Sequence, residues 1–326
     1  MAGLTEIQAV AWENREKKPS DAVADNIPML FMLRKKGNVV TINGGRVIWE
    51  DILVAQNAYV QRIDPTQEIT LGYNQTITGF EYSPKIIVVP VVINALEQAQ
   101  NQGEAEFLDL LDERNKVAEE SMFNAVEEDL QGDGTGYGGK AFAGIRSYIV
   151  TSTSSGSYGG ISRSTYTSIR NIAVDAPSTF TGATDSSNIE SRLRYCKNQV
   201  LRNGGPELCL AGTTYYNAAC DAMSAKQRVI TQNEEMVKAN FDNVVIEGMT
   251  MVLAGGRVFS GLSRIAADRC YGIRLENYKF KMYKNFNFQP VQQRVSVNQL
   301  VDVAITVGIG QFTCNGAGLS FVMYDL

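Results

Sequence analysis

The sequence predicts an α+β fold organised around one long helix. Three observations carry this. Ile86–Ile93 is aliphatic at almost every position, as in a strand buried on both faces. Apolar residues then recur at spacings of three, four and seven over residues 104–131: Phe107, Leu110, Leu111, Ala118, Met122, Ala125, Val126 and Leu130. From Tyr278 onward the chain is mostly strand-like, with Gln293–Ile309 the longest candidate and Leu319–Tyr324 the last.

Residues 1–36 read as an arm. Leu4, Ile7, Val10 and Ala11 have helical spacing, Pro19-Ser20-Asp21 breaks that pattern and can cap a second short helix, and Met29–Leu33 is too apolar for solvent, so it should dock on this subunit or on a neighbour. Residues 37–80 read as strands Val39–Ile42, Arg46–Val54, Tyr59–Ile63, Glu68–Leu71 and Thr76–Phe80. Asn43-Gly44-Gly45 and Asp64-Pro65-Thr66 supply the turns between them. A two-stranded excursion is marginal in water and needs something to lie on. Pro90 marks a bulge or a sheet edge within the aliphatic strand. Residues 94–101 are expected to form a helical turn or two, interrupted at Gly103. The long helix should then span about 40 Å at 1.5 Å per residue, with Glu104 and Glu106 favoured in its first turn by the dipole and Gly132 ending it.

After the glycine-rich break 132–140, the apolar segment Ala143–Val150 reads as a return strand. Residues 151–160 and 178–188 are Ser/Thr/Gly loops, and Ser164–Val174 reads as helical. A helix over Asn188–Asn203 stops at Gly204-Gly205-Pro206, and a short strand Glu207–Ala211 follows. Thr213 or Thr214 caps a helix reaching Met223, and Val244–Ile246 pairs with Met249–Ala254 around Glu247-Gly248. This alternation predicts a compact α/β lobe.

Composition excludes several classes. The 326 residues are 44% hydrophobic and 20% charged, as in globular proteins. No window has the roughly 18 to 20 apolar residues that a membrane-spanning helix needs, and Met1–Glu6 shows no signal-peptide pattern. Five cysteines without C-x-x-C read as buried thiols in a reducing compartment. Histidine is absent, which removes Ser-His-Asp and Cys-His catalysis and the commonest zinc sites. Net charge is −5. Glu97–Gln131 holds 11 acids against 2 bases, so the remainder carries only +4, little for a phosphate-gripping domain. The compact basic cluster Arg34-Lys35-Lys36 reads as a solvated face ahead of a DNA or partner contact.

Gly134–Lys140 fits G-x-x-x-x-G-K, but Ala141 stands where a phosphate loop needs Ser or Thr, and the loop follows a helix instead of opening one. A structural turn is the preferred reading. Asp112-Glu113, Glu119-Glu120 and Glu127-Glu128-Asp129 could suggest metal or acid–base work. Neighbours on a helix point about 100° apart, which favours a solvated or intersubunit face. Tyr271, Tyr278, Phe280, Tyr283, Phe286 and Phe288 interleave with Lys279, Lys281 and Lys284. A half-buried strand explains this better than a single-stranded nucleic-acid platform.

Three segments in order carry a family likeness: Phe80–Gly139 with Gly132-Asp-Gly-Thr-Gly, Gly159-Gly-Ile-Ser-Arg-Ser-Thr-Tyr166, and the strand-rich tail with Val307-Gly-Ile-Gly-Gln311. Together they resemble the tailed-bacteriophage major capsid proteins of the Hong Kong 97-type fold. The resemblance implies an N-arm (1–36), a β-hairpin extended loop or E-loop (37–80), a peripheral domain with a long spine helix (81–150), an axial α/β domain (151–285) and C-terminal strands returning to the peripheral domain (286–326). It implies a structural, non-enzymatic coat subunit that self-assembles into hexamers and pentamers around double-stranded DNA, held by weak non-specific contact, with no cofactor, no metal and no membrane. Arm, loop and spine helix would reach neighbours through Arg34, Lys35, Lys36, Arg46, Trp49, Tyr59, Arg62, Asp64, Glu119 and Glu120. A portal protein and a decoration or cement protein belong to the same picture. The chain has no long scaffolding extension ahead of its arm, so a separate scaffolding protein is expected. Assembly would take place in the host cytoplasm and the product would be the phage head. Two alternatives stay open: an encapsulin-like cargo shell, and a nucleotide-binding enzyme using the degenerate loop 134–140.

Overall fold

A computed structural model describes residues 28–94, 104–200, 204–225, 243–254, 265–295 and 301–325. The expected helices in residues 1–27, the helical turns at 94–101 and the end of the helix expected to reach Asn203 fall wholly or partly outside these residues.

Two sheets and one long helix organise the chain. The first sheet is built on β14 (Val301–Cys314). Strand β4 (Lys85–Asn94) pairs with it antiparallel from Val301↔Asn94 to Gly310↔Lys85. β12 (Tyr278–Tyr283) and β13 (Gln289–Val295) take successive stretches of β14, at 310–314 and 302–307. Both share β14 residues with β4, so both lie along its opposite edge. β1 (Val39–Ile42) pairs parallel with β12 at the far side. The burial of β12 alternates strictly: Tyr278, Phe280 and Met282 are fully buried, while Lys279 and Lys281 face the other way. This is the half-buried strand read from the aromatic–lysine alternation.

Helix α2 (Glu104–Gln131) lies on this sheet, with Met122, Val126 and Leu130 buried as the 3.6-residue period requires. Helix α1 (Pro28–Lys35) docks beside it, on this subunit's own core: Met29, Leu30, Met32 and Leu33 are buried. The first N–H groups of a helix have no intrahelical acceptor. Here the Glu127 carboxylate receives them, from Met29 N at 3.2 Å and Leu30 N at 3.3 Å. Glu127 is fully buried and also accepts from Gln131 Nε2 at 2.6 Å. It therefore does not belong to the solvated acidic face expected of Glu127-Glu128-Asp129; the helix N-terminus across from it supplies the donors and the positive dipole end.

The second sheet is a lobe of six strands in the order β7 (Ile172–Asp175), β15 (Phe321–Tyr324), β11 (Arg269–Ile273), β8 (Leu208–Ala211), β10 (Met249–Leu253) and β9 (Asn243–Ile246). Helices α3 (Ile189–Gln199) and α4 (Thr213–Ala225) cover it through Ile189, Leu193, Cys196, Tyr215 and Ala219. The turn between β9 and β10 has Glu247 and Gly248 at φ +52° and +75°, the geometry of a tight hairpin and the one expected there.

Four expectations are corrected. Ala143–Val150 is no strand: Ile145–Tyr148 makes one helical turn, and Ile145, Tyr148 and Ile149 are buried at helical spacing. Ser164–Val174 is no helix: only Thr167–Ile169 coils, and Ile172–Asp175 is drawn into parallel pairing with β15. Val39–Ile42 leaves the excursion expected over 37–80 and joins the first sheet beside β12. The chain's last strand does not follow β14 back into that sheet but enters the second one, between β7 and β11. In each case a partner distant in sequence outweighs local pattern.

Candidate assembly surfaces

A hairpin leaves the body from contacts with β12 and β14 of the first sheet. Its strands β2 (Ile48–Leu53) and β3 (Ile77–Tyr82) pair antiparallel, from Ile48↔Tyr82 to Leu53↔Ile77. The ladder continues one step further, Val54 N donating to Thr76 O at 2.9 Å. Beyond it regular pairing stops. The strands expected at Tyr59–Ile63 and Glu68–Leu71 are absent, because side-chain amides take over the cross-links: Gln61 Nε2 donates to Thr70 O at 2.6 Å, Thr70 N to Gln61 Oε1 at 3.1 Å, and Asn74 Nδ2 to Gln56 O at 3.0 Å. The tip turns at Asp64-Pro65-Thr66 as read from sequence, closed by Gln67 N to Asp64 O.

The root and the outboard limbs differ in burial. Ile48, Phe80 and Tyr82 belong to the main core. Outboard, Val60 is 74% exposed, Leu71 88% and Tyr73 90%. Exposed apolar groups concentrated on one projecting element mark an interaction site.

A second uncovered surface lies on the first sheet. Residues of β4 that face α2, including Val91 and Ile93, are buried, while Ile86, Val88 and Val92 on the opposite face are exposed, so within one chain the strand is not buried on both faces as its aliphatic run predicts. Directly opposed residues share a face, so Ile309, Val307, Ile305 and Val303 stand beside Ile86, Val88, Pro90 and Val92. The result is an apolar strip two strands wide. The outer edge of β4 is poorly suited to adding a strand: Pro90 has no N–H, and Arg114 Nη1 already binds Val92 O at 2.8 Å. This surface offers its face more readily than its edge.

The residues expected at contacts are scattered. Arg62 and Asp64 are exposed at the hairpin tip, and Arg46 is exposed near its root. Trp49 is exposed but lies over Gly79, where an added Cβ would come within 2.9 Å of its ring. Tyr59 packs across Gly72 on the facing limb. Arg34 and Lys35 end α1, and Lys36 pairs with Glu207 of the lobe at 2.8 Å. Glu120 is exposed, whereas Glu119 lines a crevice between α2 and the sheet with Asn115, Met122, Val89, Val91 and Thr306. The structure thus gathers Tyr59, Arg62 and Asp64 on one limb system and separates the rest. Leu71, Tyr73 and Val60 were not singled out from sequence; apolar residues within a polar β-prone excursion were the available signal.

Gly159–Tyr166 acquires a physical role. Gly159 and Gly160 turn the short hairpin β5 (Ser157–Tyr158) and β6 (Ile161–Ser162) at φ +56° and +78°. An added Cβ on Gly159 would meet the Phe80 ring at 2.6 Å. Buried Arg163 donates to Ser147 O at 2.7 Å and sits 4.8 Å from the Tyr158 ring centroid. The motif therefore braces the root of the large hairpin.

The loop Gly134–Lys140 follows α2 and contains positive φ at Gly134, Tyr137, Gly138 and Gly139; Lys85 Nζ donates to Gly139 O at 2.6 Å. It opens no strand-to-helix phosphate cradle. Nearby, Asp129 is pushed up to about 6 by burial, and Glu128 adds to this, against the Phe142 N–H bond at 3.1 Å. Among the described residues no group of three His, Cys, Asp or Glu is placed to hold a metal, and no helix is long and apolar enough to cross a membrane. All five cysteines are free; burial pushes Cys196 and Cys314 up to about 12.

No protein-family model matches the chain, and no curated protein does. Solved structures match along most of its length. A chain of the cyanophage A-1(L) capsid asymmetric unit is 14% identical, with 90% of this chain and 92% of that one covered and a TM-score of 0.65. The capsid of Myoviridae phage XM1 gives 12% identity, 90% and 92% coverage and 0.53. The holo-SrpI encapsulin complex from Synechococcus elongatus PCC 7942 gives 9%, 88% and 84%, and 0.51. The α+β fold read from the sequence is the fold of these shell-forming chains.

Proposed function

We propose that this chain is the major capsid protein of a tailed double-stranded DNA bacteriophage, self-assembling into the hexamers and pentamers of an icosahedral head. One observation carries the reading: a chain with a shell-subunit fold leaves two complementary apolar surfaces uncovered, the outboard hairpin and the β4–β14 face. Burying Leu71, Tyr73 or Val60 on a second copy contributes on the order of 1.5–3 kcal/mol each, before association costs of about 4–15 kcal/mol. Arm and face are different patches, so the contact is heterologous and generates rings where the rotation closes.

In this reading residues 1–36 are the N-arm, the hairpin is the extended loop, the β4–β14 sheet with α2 is the peripheral domain, and the six-stranded lobe is the axial domain at the capsomer axes. The role is structural, with no catalytic step. Scaffolding, portal and decoration proteins are the expected partners, packaged DNA is touched weakly, and the virion is the destination.

The test is electron microscopy with sedimentation of the full chain, alone and co-expressed with neighbouring gene products. Closed shells of uniform size are expected, and a small monodisperse particle under every condition overturns the proposal. The encapsulin match supports a second reading, a cargo compartment. Shells purified from the native source that hold protein and no DNA would favour it.

A further inference from the structure

The hairpin root is gripped on one face by two kinds of contact, and one of them is ionic. Glu50 on β2 is buried and pairs with Lys281 of β12, Nζ to Oε1 at 2.8 Å, the side chains being 9% and 14% exposed. Lys281 also donates to Trp49 O at 3.2 Å, and Thr313 Oγ1 of β14 donates to Glu50 Oε1 at 2.9 Å. Three elements, more than 230 residues apart at the extremes, thus meet on one carboxylate. On the same face Phe80, directly opposite Glu50, stacks on Tyr158 at 4.8 Å between ring centroids, and Tyr82 OH donates to Cys314 O at 2.6 Å. Ser168 Oγ closes the outer limit of the grip, donating to Val54 O at 2.8 Å. Outboard of Val54 and Thr76, exposed side-chain amides and the Tyr59 ring over Gly72 link the two limbs, with no backbone ladder.

From this contrast we propose that Glu50, Lys281 and Thr313 form a latch that sets the angle at which the hairpin leaves the body, and that the arm bends outboard of it, at residues 55–58 and 73–75, where the Asn74 side chain and no backbone ladder joins the limbs. An ion pair held this far from water loses much when one partner is removed, because the other charge stays buried and unpaired. The neighbouring contacts, the Phe80–Tyr158 rings and the neutral hydrogen bonds of Tyr82 and Ser168, strand no charge when they are lost. The latch is therefore the root contact on which orientation depends most, while the ring contacts and neutral hydrogen bonds supply the remaining attachment. A hinge needs backbone free to change φ and ψ. The limbs have that freedom and the root does not. The proposal concerns the subunit alone; its consequence, that the latch angle sets the curvature between neighbouring subunits, rests on the shell reading.

Hydrogen exchange on the full-length subunit separates these claims. In Lys281→Met, amides of 48–54 and 77–82 should exchange roughly tenfold faster or more, while those of 55–75 stay as fast as in the parent and the six-stranded lobe stays protected. The charge-swapped pair Glu50→Lys with Lys281→Glu should restore at least part of the root protection. Unchanged root exchange in Lys281→Met overturns the latch. So does acceleration spread evenly over the lobe, which would make Lys281 a general stability residue. A root left unprotected by the charge swap, in a subunit whose lobe remains protected, also overturns it. Micrographs of co-expressed shells then address the consequence separately: a broadened diameter distribution in Lys281→Met supports curvature control, and an unaltered distribution beside a loosened root confines the latch to the subunit.

Discussion

Strand β8 and the outboard hairpin limbs both carry large apolar residues, and these meet opposite environments. Leu208, Cys209, Leu210 and Ala211 are all fully buried between β11 and β10, Cys209 and Ala211 under α3 and α4 and Leu208 and Leu210 against the main core. Leu71 and Tyr73 stand almost wholly in solvent. Backbone pairing follows the same division. β8 is laddered on both edges, whereas the limbs hold together through Gln61, Asn74 and Thr70. The lobe is finished within one chain and the arm is not. Its apolar side chains become favourable only against a surface that this copy does not bring to them, and the strip beside Ile86, Val88 and Val92 has the matching chemistry.

The largest test replaces residues 56–74 by a two-residue Asn-Gly turn, which keeps the latched root. Circular dichroism should report a folded subunit, and sedimentation should find no closed shells. Normal shells from this variant would break the comparison. Removing 46–75 would be a poorer experiment, since it takes away buried Ile48 and Glu50 along with the arm. Next in size is Phe321→Ala. Phe321 is fully buried in the lobe, so urea unfolding should register a loss of about 3–5 kcal/mol.

Gly272→Ala probes the same packing from the other direction. The added Cβ would come within 2.1 Å of the Phe321 ring, and overpacking of this sort costs about 1–3 kcal/mol. Asp129→Asn should act in the opposite sense. The folded carboxyl binds its proton up to about pH 6, above the ordinary value of 3.8. Folded protein thus holds more protons than unfolded protein between about pH 4 and 6, and parental stability falls as pH rises through that window. The variant's advantage should grow across the window and level off above it, at about 1 kcal/mol once partial solvent exposure is allowed for. Chemical unfolding at stepped pH measures this, and a flat difference would remove the titration from Asp129. Smallest for the subunit is Leu71→Ser, expected within about 0.5 kcal/mol of the parent, with a raised concentration threshold for assembly by light scattering. If it destabilises the isolated subunit as much as Phe321→Ala, the arm is part of the core and the contrast fails.

Patterns confined to one element were readable without coordinates. The 3.6-residue period over α2, the aliphatic run of β4, the Glu247-Gly248 turn and the Asp64-Pro65-Thr66 tip depend on neighbours a few residues away, where steric and hydrogen-bond preferences act directly. Segments whose conformation depends on a distant partner were not. Ile172–Asp175 was read as helix because nothing local announces β15, some 150 residues later. Ala143–Val150 was read as strand because a helical turn of three buried residues is too short to display a period. Glu127 looked like one member of an acidic face, and its burial follows from α1 arriving with unsatisfied N–H groups.

The sequence by itself determined the α+β class, the long helix, the tight turns and the absence of histidine-based chemistry, because composition and short-range periodicity are properties of the chain alone. Only the tertiary structure decided which apolar residues stay uncovered, where the hairpin is gripped and where it is free to bend. Those follow from what lies against each residue in space, and the Glu50–Lys281–Thr313 contact joins groups that no local pattern relates.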